Sequence, residues 1–239
     1  MIDLHCHILP GLDDGAVDLA DSIEMARQAE RDGIAVVCAT PHVRRDHNVN
    51  VEEIAGRVHS LQQELDERRI DVRIAPAGEV AETEIDRLTD SELHLASLGG
   101  AGGWVLLEPA AGPIGQRTEA SVERLAERGL GTVLAHPERH AGAGFGERLA
   151  ALAGRGCLIQ WTAEFFAEAA PSDLVTELAR EGLVHLLGSD AHSSHGGRPV
   201  RLAAAFARLA TVRTPDQIAW SMDLAPRAIL DRTPVITPP

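Results

Sequence analysis

The stretch MIDLHCHILPGLDDG, residues 1–15, alternates apolar and polar side chains at its start. Positions 2, 4 and 6 are apolar, whereas positions 3, 5 and 7 are polar, and this period of two predicts a β-strand that presents His5 and His7 on one face. Two imidazoles at that spacing can bind one ion, and Asp13 and Asp14 add carboxylates just beyond the turn at Pro10 and Gly11. A solvated polar strand face would give the same local pattern, so both interpretations stay open for the pair alone.

The composition indicates a globular α/β protein. With 239 residues, of which 44% are apolar, the chain can bury a full core. Its three cysteines are far apart and form no Cys-x-x-Cys pair, which argues against disulfides and thiolate zinc sites and favours a reducing, cytoplasmic location. No basic start precedes an apolar run, and no stretch of about twenty apolar residues occurs, so we expect neither secretion nor membrane insertion.

The charged residues exclude several classes of function. A formal net charge of -14 argues against nucleic-acid binding through a broad basic surface, and bound cations are expected to offset part of it. All 22 basic residues are arginine, so any chemistry that needs a Schiff-base, catalytic or carbamylated lysine is excluded. Tyrosine, a common general acid, is absent as well. The sequence does not indicate an oligomeric state.

Short apolar runs alternate with amphipathic segments along the rest of the chain. This alternation predicts right-handed βαβ units and a parallel sheet of about seven strands. Among the predicted elements are helices over residues 18–32 and 51–69, a strand over residues 34–39 and a weak helix over residues 83–88. Because no linker is long enough to divide two domains, we expect one domain over residues 1–232 and a C-terminal tail over residues 233–239.

Candidate metal ligands stand at the ends of the predicted strands. Six strands each end at one of them, namely His7, His42, Glu79, Glu108, His136 and Asp190. In a barrel these ends form one rim, whereas an open sheet would spread them along a line, so a closed or nearly closed barrel is favoured. His5, Asp14 and His192 complete the set of candidate ligands. The set offers nitrogen and oxygen ligands without sulfur, which suits Mn(II), Fe(II) or Zn(II), and it contains enough ligands for two or three ions.

The motifs that carry these residues resemble those of a known family. They are His5-x-His7, Asp13-Asp14-Gly15, Thr40-Pro41-His42, Gly78-Glu79, Glu108-Pro109, His136-Pro137-Glu138-Arg139, Ser189-Asp190-x-His192 and Gly197-Arg198-Pro199. In order and spacing, from residue 1 to about residue 230, they resemble the polymerase and histidinol phosphatase (PHP) family. Within it they are most similar to the manganese-dependent protein-tyrosine phosphatases of bacterial capsule and exopolysaccharide operons.

The resemblance implies a distorted (β/α)7 TIM-like barrel, the PHP fold, with three metal ions, manganese above iron or zinc. One ion would be held by His5, His7, Glu79 and Asp190, a second by Glu79, Glu108 and His136, and a third by Asp14, His42 and His192. Arg139 and Arg198 match arginines that face the phosphate in the family, which gives them catalytic and substrate-binding roles. We also expect Arg44 and Arg45 to contribute positive charge for substrate binding.

The implied activity is that of a metal-dependent phosphomonoesterase. The implied substrate is a phosphotyrosine of a tyrosine kinase of capsule or exopolysaccharide synthesis. A hydroxide bound to two ions would attack its phosphorus in line, and the phenolate would leave easily. A small-molecule phosphatase, such as a histidinol-phosphate phosphatase, shares the ions and differs in the pocket. A catalytically silent, metal-stabilised binding module is the alternative from a different class.

Two other hydrolase mechanisms have partial support in the sequence. The segment from Cys38 to Arg44 has the Cys-x5-Arg spacing of cysteine-dependent tyrosine phosphatases. However, Cys38 lies inside an apolar strand, Pro41 removes a backbone amide from the loop, and the loop has no glycine, so a buried structural cysteine is favoured. Metal-dependent amidohydrolases also begin with His-x-His on a barrel, but their usual carbamylated lysine is impossible in a chain without lysine.

Overall fold

Strands and helices alternate along the computed structural model, which describes residues 1–100, 102–168 and 173–235. The end of the expected tail, residues 236–239, lies outside the described residues. The strands are β1 (Ile2–Cys6), β2 (Val36–Ala39), β3 (His42–Val43), β4 (Arg73–Pro76), β5 (Glu79–Ala81), β6 (Trp104–Glu108), β7 (Gly131–Leu134), β8 (Leu158–Thr162) and β9 (Leu186–Gly188). The helices are α1 (Leu19–Asp32), α2 (Val51–Glu67), α3 (Asp90–Ala96), α4 (Gln116–Glu127), α5 (Phe145–Gly154), α6 (Ala163–Glu168), α7 (Leu174–Arg180), α8 (Ala203–Leu209), α9 (Pro215–Ala219) and α10 (Ala225–Asp231). Short 3₁₀ turns at Leu98–Gly100 and Pro137–His140 and a π-helical turn at Trp220–Leu224 complete the described elements.

All strand pairs in the described part of the chain are parallel. Three strands pair in the order β1-β2-β4, and six pair in the order β3-β5-β6-β7-β8-β9. Only Thr40 and Pro41 separate β2 from β3, and only Ala77 and Gly78 separate β4 from β5. Proline cannot donate a ladder hydrogen bond, so the first of these breaks follows from the sequence. The two breaks explain why about seven expected strands appear as nine shorter ones.

The first and last strands lie next to each other. Asp190 N donates to His5 O over 2.8 Å, and His7 N donates to Ala191 O over 2.9 Å. Cys6 and Ala191 form an isolated parallel bridge. The chain therefore adopts an α/β fold whose parallel sheet curls until its two edges meet, and the carboxyl ends of its strands lie on one side.

In several strands, alternate residues join two different apolar clusters. In β6, Leu106 belongs to the smaller cluster, whereas Val105 and Leu107 belong to the larger one. Trp220 and Ile229, from the C-terminal segment, pack into the smaller cluster. Both faces of the sheet are therefore covered, as in other parallel sheets.

The structure differs from expectation after β5. Residues 83–88 form turns instead of the expected weak helix. The helix begins later, at α3, where Thr89 and Glu92 form a capping box: Glu92 N donates to Thr89 Oγ1 and Thr89 N donates to Glu92 Oε2. Among the described helices, none has the length and apolar character that crossing a membrane requires.

Candidate metal centre

The structure brings all nine expected ligands into one cluster at the carboxyl ends of the strands. Ligand atoms within 4.8 Å of one another define four overlapping groups. These groups are His7, Asp14, His42 and His192; His5, His7 and Asp190; His5, Glu79 and His136; and His42, Glu79 and Glu108. Because His5, His7, His42 and Glu79 each belong to two groups, the groups form one continuous site.

Four ligand atoms converge at the centre of this cluster. His5 Nε2 lies 3.3 Å from His7 Nε2. Glu79 Oε2 lies 3.4 and 3.3 Å from these two nitrogens, and Asp190 Oδ1 lies 3.4 and 3.7 Å from them. Atoms that each bind an ion at about 2.1 Å are separated by about 3.0 to 3.4 Å, so these separations fit a shared divalent cation. Glu79 Oε2 and Asp190 Oδ1 are also buried with no hydrogen-bond partner among the described residues.

Glu79 connects this central group to the rest of the cluster. Its carboxylate lies 2.7 Å from His136 Nε2 and 3.0 Å from His42 Nδ1. His42 Nδ1 is 3.7 Å from Glu108 Oε2, and on the other edge of the ring His42 Nε2 is 3.4 Å from Asp14 Oδ1. A fully buried glutamate that faces several imidazoles is well placed to bridge ions.

Two side chains outside the expected set fix the orientation of the first histidines. His5 Nδ1 donates to Gln160 Oε1 over 2.9 Å, and His7 Nδ1 donates to Asp13 Oδ2 over 2.8 Å. These bonds leave the Nε2 lone pairs free to face the cluster. The sequence had a signal for Asp13, in the acidic turn after His7. It had none for Gln160, which lies in the middle of β8.

The carboxylates create a strongly negative field inside the cluster. Although burial opposes protonation, Asp13 and Glu79 raise the pKa of His7 to about 10. Burial together with repulsion from His7 lowers the pKa of His192 to about 4. Burial alone would raise the pKa of the Glu79 carboxyl. The facing imidazoles of His5, His136 and His42 outweigh this effect and lower the pKa well below its usual value. A field that favours protons on His7 favours divalent cations for the same reason.

The backbone is strained at two of the candidate ligands. His136 has φ 29° and Asp190 has φ 49°, in the left-handed region that side chains with a Cβ rarely adopt. Strain of this kind clusters at functional sites, where the surrounding structure holds it in place. The site is also tightly packed: a Cβ at Gly188 would lie 2.8 Å from His5 Cβ and from Gln160 Cδ.

Three of the four expected substrate-binding arginines border the cluster. Arg139 Nη2 donates to Asp190 Oδ2, and Arg198 Nε donates to the Asp190 carbonyl over 2.7 Å. Arg44 Nη1 donates to Glu108 Oε1 over 3.0 Å. Arg45, in contrast, is exposed, and its closest carboxylate is Glu84, with Nε and Oε1 3.7 Å apart. Arg45 therefore lies outside the cluster.

His47, to which the sequence gave no role, also lies at the cluster. Its ring stacks on that of His42 with centroids 4.8 Å apart, and its Nε2 is 3.0 Å from Arg44 Nη2. A cavity of about 450 Å³ opens beside these residues. Its lining includes Arg44, Ala81, Glu108, Pro109, Ala110, His136, Arg139 and His140. This volume and this mixture of apolar and cationic groups suit a phosphate ester.

Cys38 does not take part in the cluster. It is fully buried in β2, and burial raises the pKa of its thiol well above the usual value. A buried thiol with a raised pKa is a poor nucleophile, so the cysteine-dependent mechanism receives no support.

Comparison with known proteins gives consistent matches over most of the chain. The family model described as capsular polysaccharide synthesis, CpsB/CapC, matches residues 1–219. The tyrosine-protein phosphatase YwqE of Bacillus subtilis is 34% identical over 204 residues, which span 81% of this chain and 78% of YwqE. The tyrosine-protein phosphatase CpsB of Streptococcus agalactiae is 26% identical over 216 residues, spanning 86% of this chain and 88% of CpsB.

Solved structures agree with these matches. One from the set of YwqE from Bacillus subtilis and CpsB from Streptococcus pneumoniae, described as metal-dependent tyrosine phosphatases, superposes on the chain with a TM-score of 0.86. It is 28% identical in sequence, and the superposition covers 100% of this chain and 98% of that one.

Proposed function

The chain belongs to the CpsB/CapC family of capsular polysaccharide synthesis, and on that premise we propose that it is a metal-dependent tyrosine phosphatase. The observation that carries the proposal is the convergence of two imidazole nitrogens and two carboxylate oxygens, from His5, His7, Glu79 and Asp190, at separations that suit a shared divalent cation.

The proposal includes the fold at a finer level. We assign the chain to the PHP superfamily, with a distorted (β/α)7 TIM-like barrel over residues 1–232 and a tail over residues 233–239. Counting β2 with β3 and β4 with β5 gives seven strands around the sheet, which supports this assignment. The contact between Cys6 and Ala191, which joins the first strand to the last, supports it as well.

We propose three ions for each chain, with manganese preferred over iron or zinc. The first would be held by His5, His7, Glu79 and Asp190, the second by Glu79, Glu108 and His136, and the third by Asp14, His42 and His192. The nitrogen and oxygen donor set supports these metals. When bound, such ions supply Lewis acidity and lower the pKa of a coordinated water to near neutrality.

The arginines of the site would bind the phosphate. The contacts of Arg139 and Arg198 with Asp190 hold both guanidinium groups at the edge of the cluster, where their planar donors can reach phosphate oxygens. Arg44 borders the cluster through its hydrogen bond to Glu108. These residues would hold the phosphate at the edge of the cluster, with the organic group of the ester directed away from the metal ligands.

The proposed substrate is phosphotyrosine on a tyrosine kinase of capsule or exopolysaccharide synthesis, in the cytoplasm. The description of the family as capsular polysaccharide synthesis and the phosphatase names of the relatives support this substrate. A small-molecule phosphatase remains the second candidate, because a cavity of about 450 Å³ also accommodates a small ester.

The test is hydrolysis of p-nitrophenyl phosphate, a phosphotyrosine peptide and histidinol phosphate, with added Mn²⁺ or with a chelator. We expect activity that needs the metal, prefers the peptide, falls by at least about a hundredfold in His136→Ala and is unchanged in Cys38→Ser. Preference for histidinol phosphate would move the chain to the small-molecule branch. A metal-loaded, folded chain that is inert towards every ester would instead be a binding module.

A further inference from the structure

A second cavity, of about 330 Å³, adjoins the metal centre. Arg139 and Arg198, the two proposed phosphate-binding residues, both line it, whereas only Arg139 also lines the larger cavity of about 450 Å³. A phosphate held by both guanidinium groups therefore borders this second cavity, and the group esterified to the phosphate has space to enter it.

The ring of Phe165 forms one wall of this cavity. Phe165 is 48% exposed, and it is the only aromatic residue among the large exposed apolar side chains in the described part of the chain. Its ring stacks on Trp161 at a centroid distance of 6.3 Å and an interplanar angle of 23°. Trp161 is buried, and its Nε1 donates to Leu183 O over 3.0 Å. One face of Phe165 is therefore supported by a fixed ring, and the exposed part of its own ring is available to a ligand.

The charges around the cavity determine how an anionic ester would orient in it. Arg139 and Arg198 are its only described cationic lining residues, and both contact Asp190 at the metal centre. The other charged lining residues are glutamates, with Glu164 and Glu168 on the same helix, α6, as Phe165. Repulsion from these carboxylates directs the phosphate towards the arginines and leaves the organic group next to Phe165.

We propose that Phe165 stacks with the aromatic ring of the substrate and thereby selects aryl phosphates over alkyl phosphates. This inference rests on the proposed function and assigns substrate selection to a residue outside the metal centre. In phosphotyrosine one oxygen joins the ring to phosphorus, so a phosphate at the arginines places the ring inside the cavity. An alkyl ester makes the same phosphate contacts but gains nothing from an aromatic pair.

Binding of two non-hydrolysable probes, phenylphosphonate and methylphosphonate, tests this directly by calorimetry on the Mn²⁺-loaded protein. We expect the wild type to bind the phenyl compound about tenfold more tightly than the methyl compound. Phe165→Ala should lose most of this preference, whereas Phe165→Trp should retain it. Leu224→Ala, at an exposed apolar residue that does not line this cavity, is the control and should behave as the wild type does.

Kinetics give the second readout, with one peptide carrying either phosphotyrosine or phosphoserine. Phe165→Ala should lower kcat/KM about tenfold for the phosphotyrosine peptide. The kcat/KM for the phosphoserine peptide should be unchanged. Equal losses on both peptides, or an unchanged preference for phenylphosphonate, would overturn the inference and leave the phosphatase assignment in place. A wild type that prefers phenylphosphonate but hydrolyses neither peptide would contradict the proposed function and leave the ring site intact.

Discussion

At the scale of single residues, the histidines of the centre depend on partners that are not themselves candidate ligands. Gln160 accepts the Nδ1 proton of His5, which selects the tautomer whose Nε2 lone pair faces Glu79 and Asp190. Without that acceptor the ring can rotate or change tautomer. The affinity of the centre for metal therefore depends on a neutral amide as well as on charged ligands.

We predict that Gln160→Met lowers the affinity for Mn²⁺ by about ten- to a hundredfold, because methionine fills a similar volume without accepting the His5 proton. Calorimetric titration with Mn²⁺ measures this effect. Gln160→Glu, which keeps an acceptor oxygen at the same position, is the control and should bind at least as tightly as the wild type. Equal affinities in the wild type and Gln160→Met would show that Gln160 does not orient the ligand.

At the scale of elements, the loop after β9 is held in place by helix α1. The Asp21 carboxylate, in the first turn of α1, accepts hydrogen bonds from Ser194 N over 2.7 Å and from Ser194 Oγ over 2.6 Å. Burial opposes ionisation of this carboxyl, but the bonds from Ser194 outweigh it and lower its pKa. Because His192 and Arg198 flank the anchored residues, α1 helps to position both of them through Asp21.

We predict that Asp21→Ala lowers kcat/KM for a phosphotyrosine peptide by about ten- to a hundredfold, through displacement of Arg198. Hydrogen exchange at residues 193–198 should become faster in the same variant. Asp21→Asn keeps one acceptor oxygen and should recover part of both effects. Faster exchange together with wild-type activity would mean that the loop is anchored for stability alone.

The elements also show which parts of the fold a sequence can predict. Most side chains of the apolar run over residues 34–39 are buried or half-buried, and the structure has β2 at Val36–Ala39. The run does not show which strand lies beside its end, where Thr40 N donates to Cys6 O and Thr40 Oγ1 accepts from Cys6 N. A pattern within one segment contains no information about such contacts.

The same reasoning applies to the site. Histidines and carboxylates at the ends of strands are visible in the sequence, because the ends of parallel strands meet at one edge. Gln160 has no such signature, since a polar residue in the middle of a strand looks alike whether it faces ligands or water. Arg44 and Arg45 are neighbours just after the short strand β3, but the side chain of Arg44 contacts Glu108, whereas that of Arg45 faces Glu84. The sequence does not show which carboxylate each arginine meets.

At the scale of the whole molecule, stability depends on a histidine outside the metal centre. His185 is buried, its Nδ1 accepts a hydrogen bond from Ile159 N over 2.9 Å, and its ring lies 6.4 Å from that of Trp220. Burial, with a smaller contribution from Arg213, lowers its pKa to about 4. The unfolded chain, in which a histidine has a pKa of about 6.5, therefore binds this proton more readily than the folded chain does.

We predict that the stabilisation associated with neutral His185 is fully present above about pH 6.5 and is lost as the pH falls towards 4. The free energy of unfolding should fall by up to about 3 kcal/mol over this range. His185→Asn, which keeps an acceptor for Ile159 N, should show a smaller fall. Urea unfolding between about pH 4 and 7.5 measures both proteins, and parallel curves would contradict the prediction. Burial also raises the pKa of Asp3 to about 6. Its titration contributes equally to the stability of the wild type and of His185→Asn, so it cancels in the difference between the two proteins.

The meeting of the first and last strands sets the order of events during synthesis on a ribosome. Ser189 Oγ donates to His5 O across a separation of 184 residues, so the N-terminal histidines emerge long before the residues that complete their site. At about 5 to 20 residues per second this delay lasts roughly ten to forty seconds. During that time His5 and His7 lack the contacts that Ser189 and Asp190 supply in the folded protein. The centre can therefore form only late in synthesis, after Asp190 has been made, and a chain that stops before Asp190 carries its first ligands without the residues that complete their site.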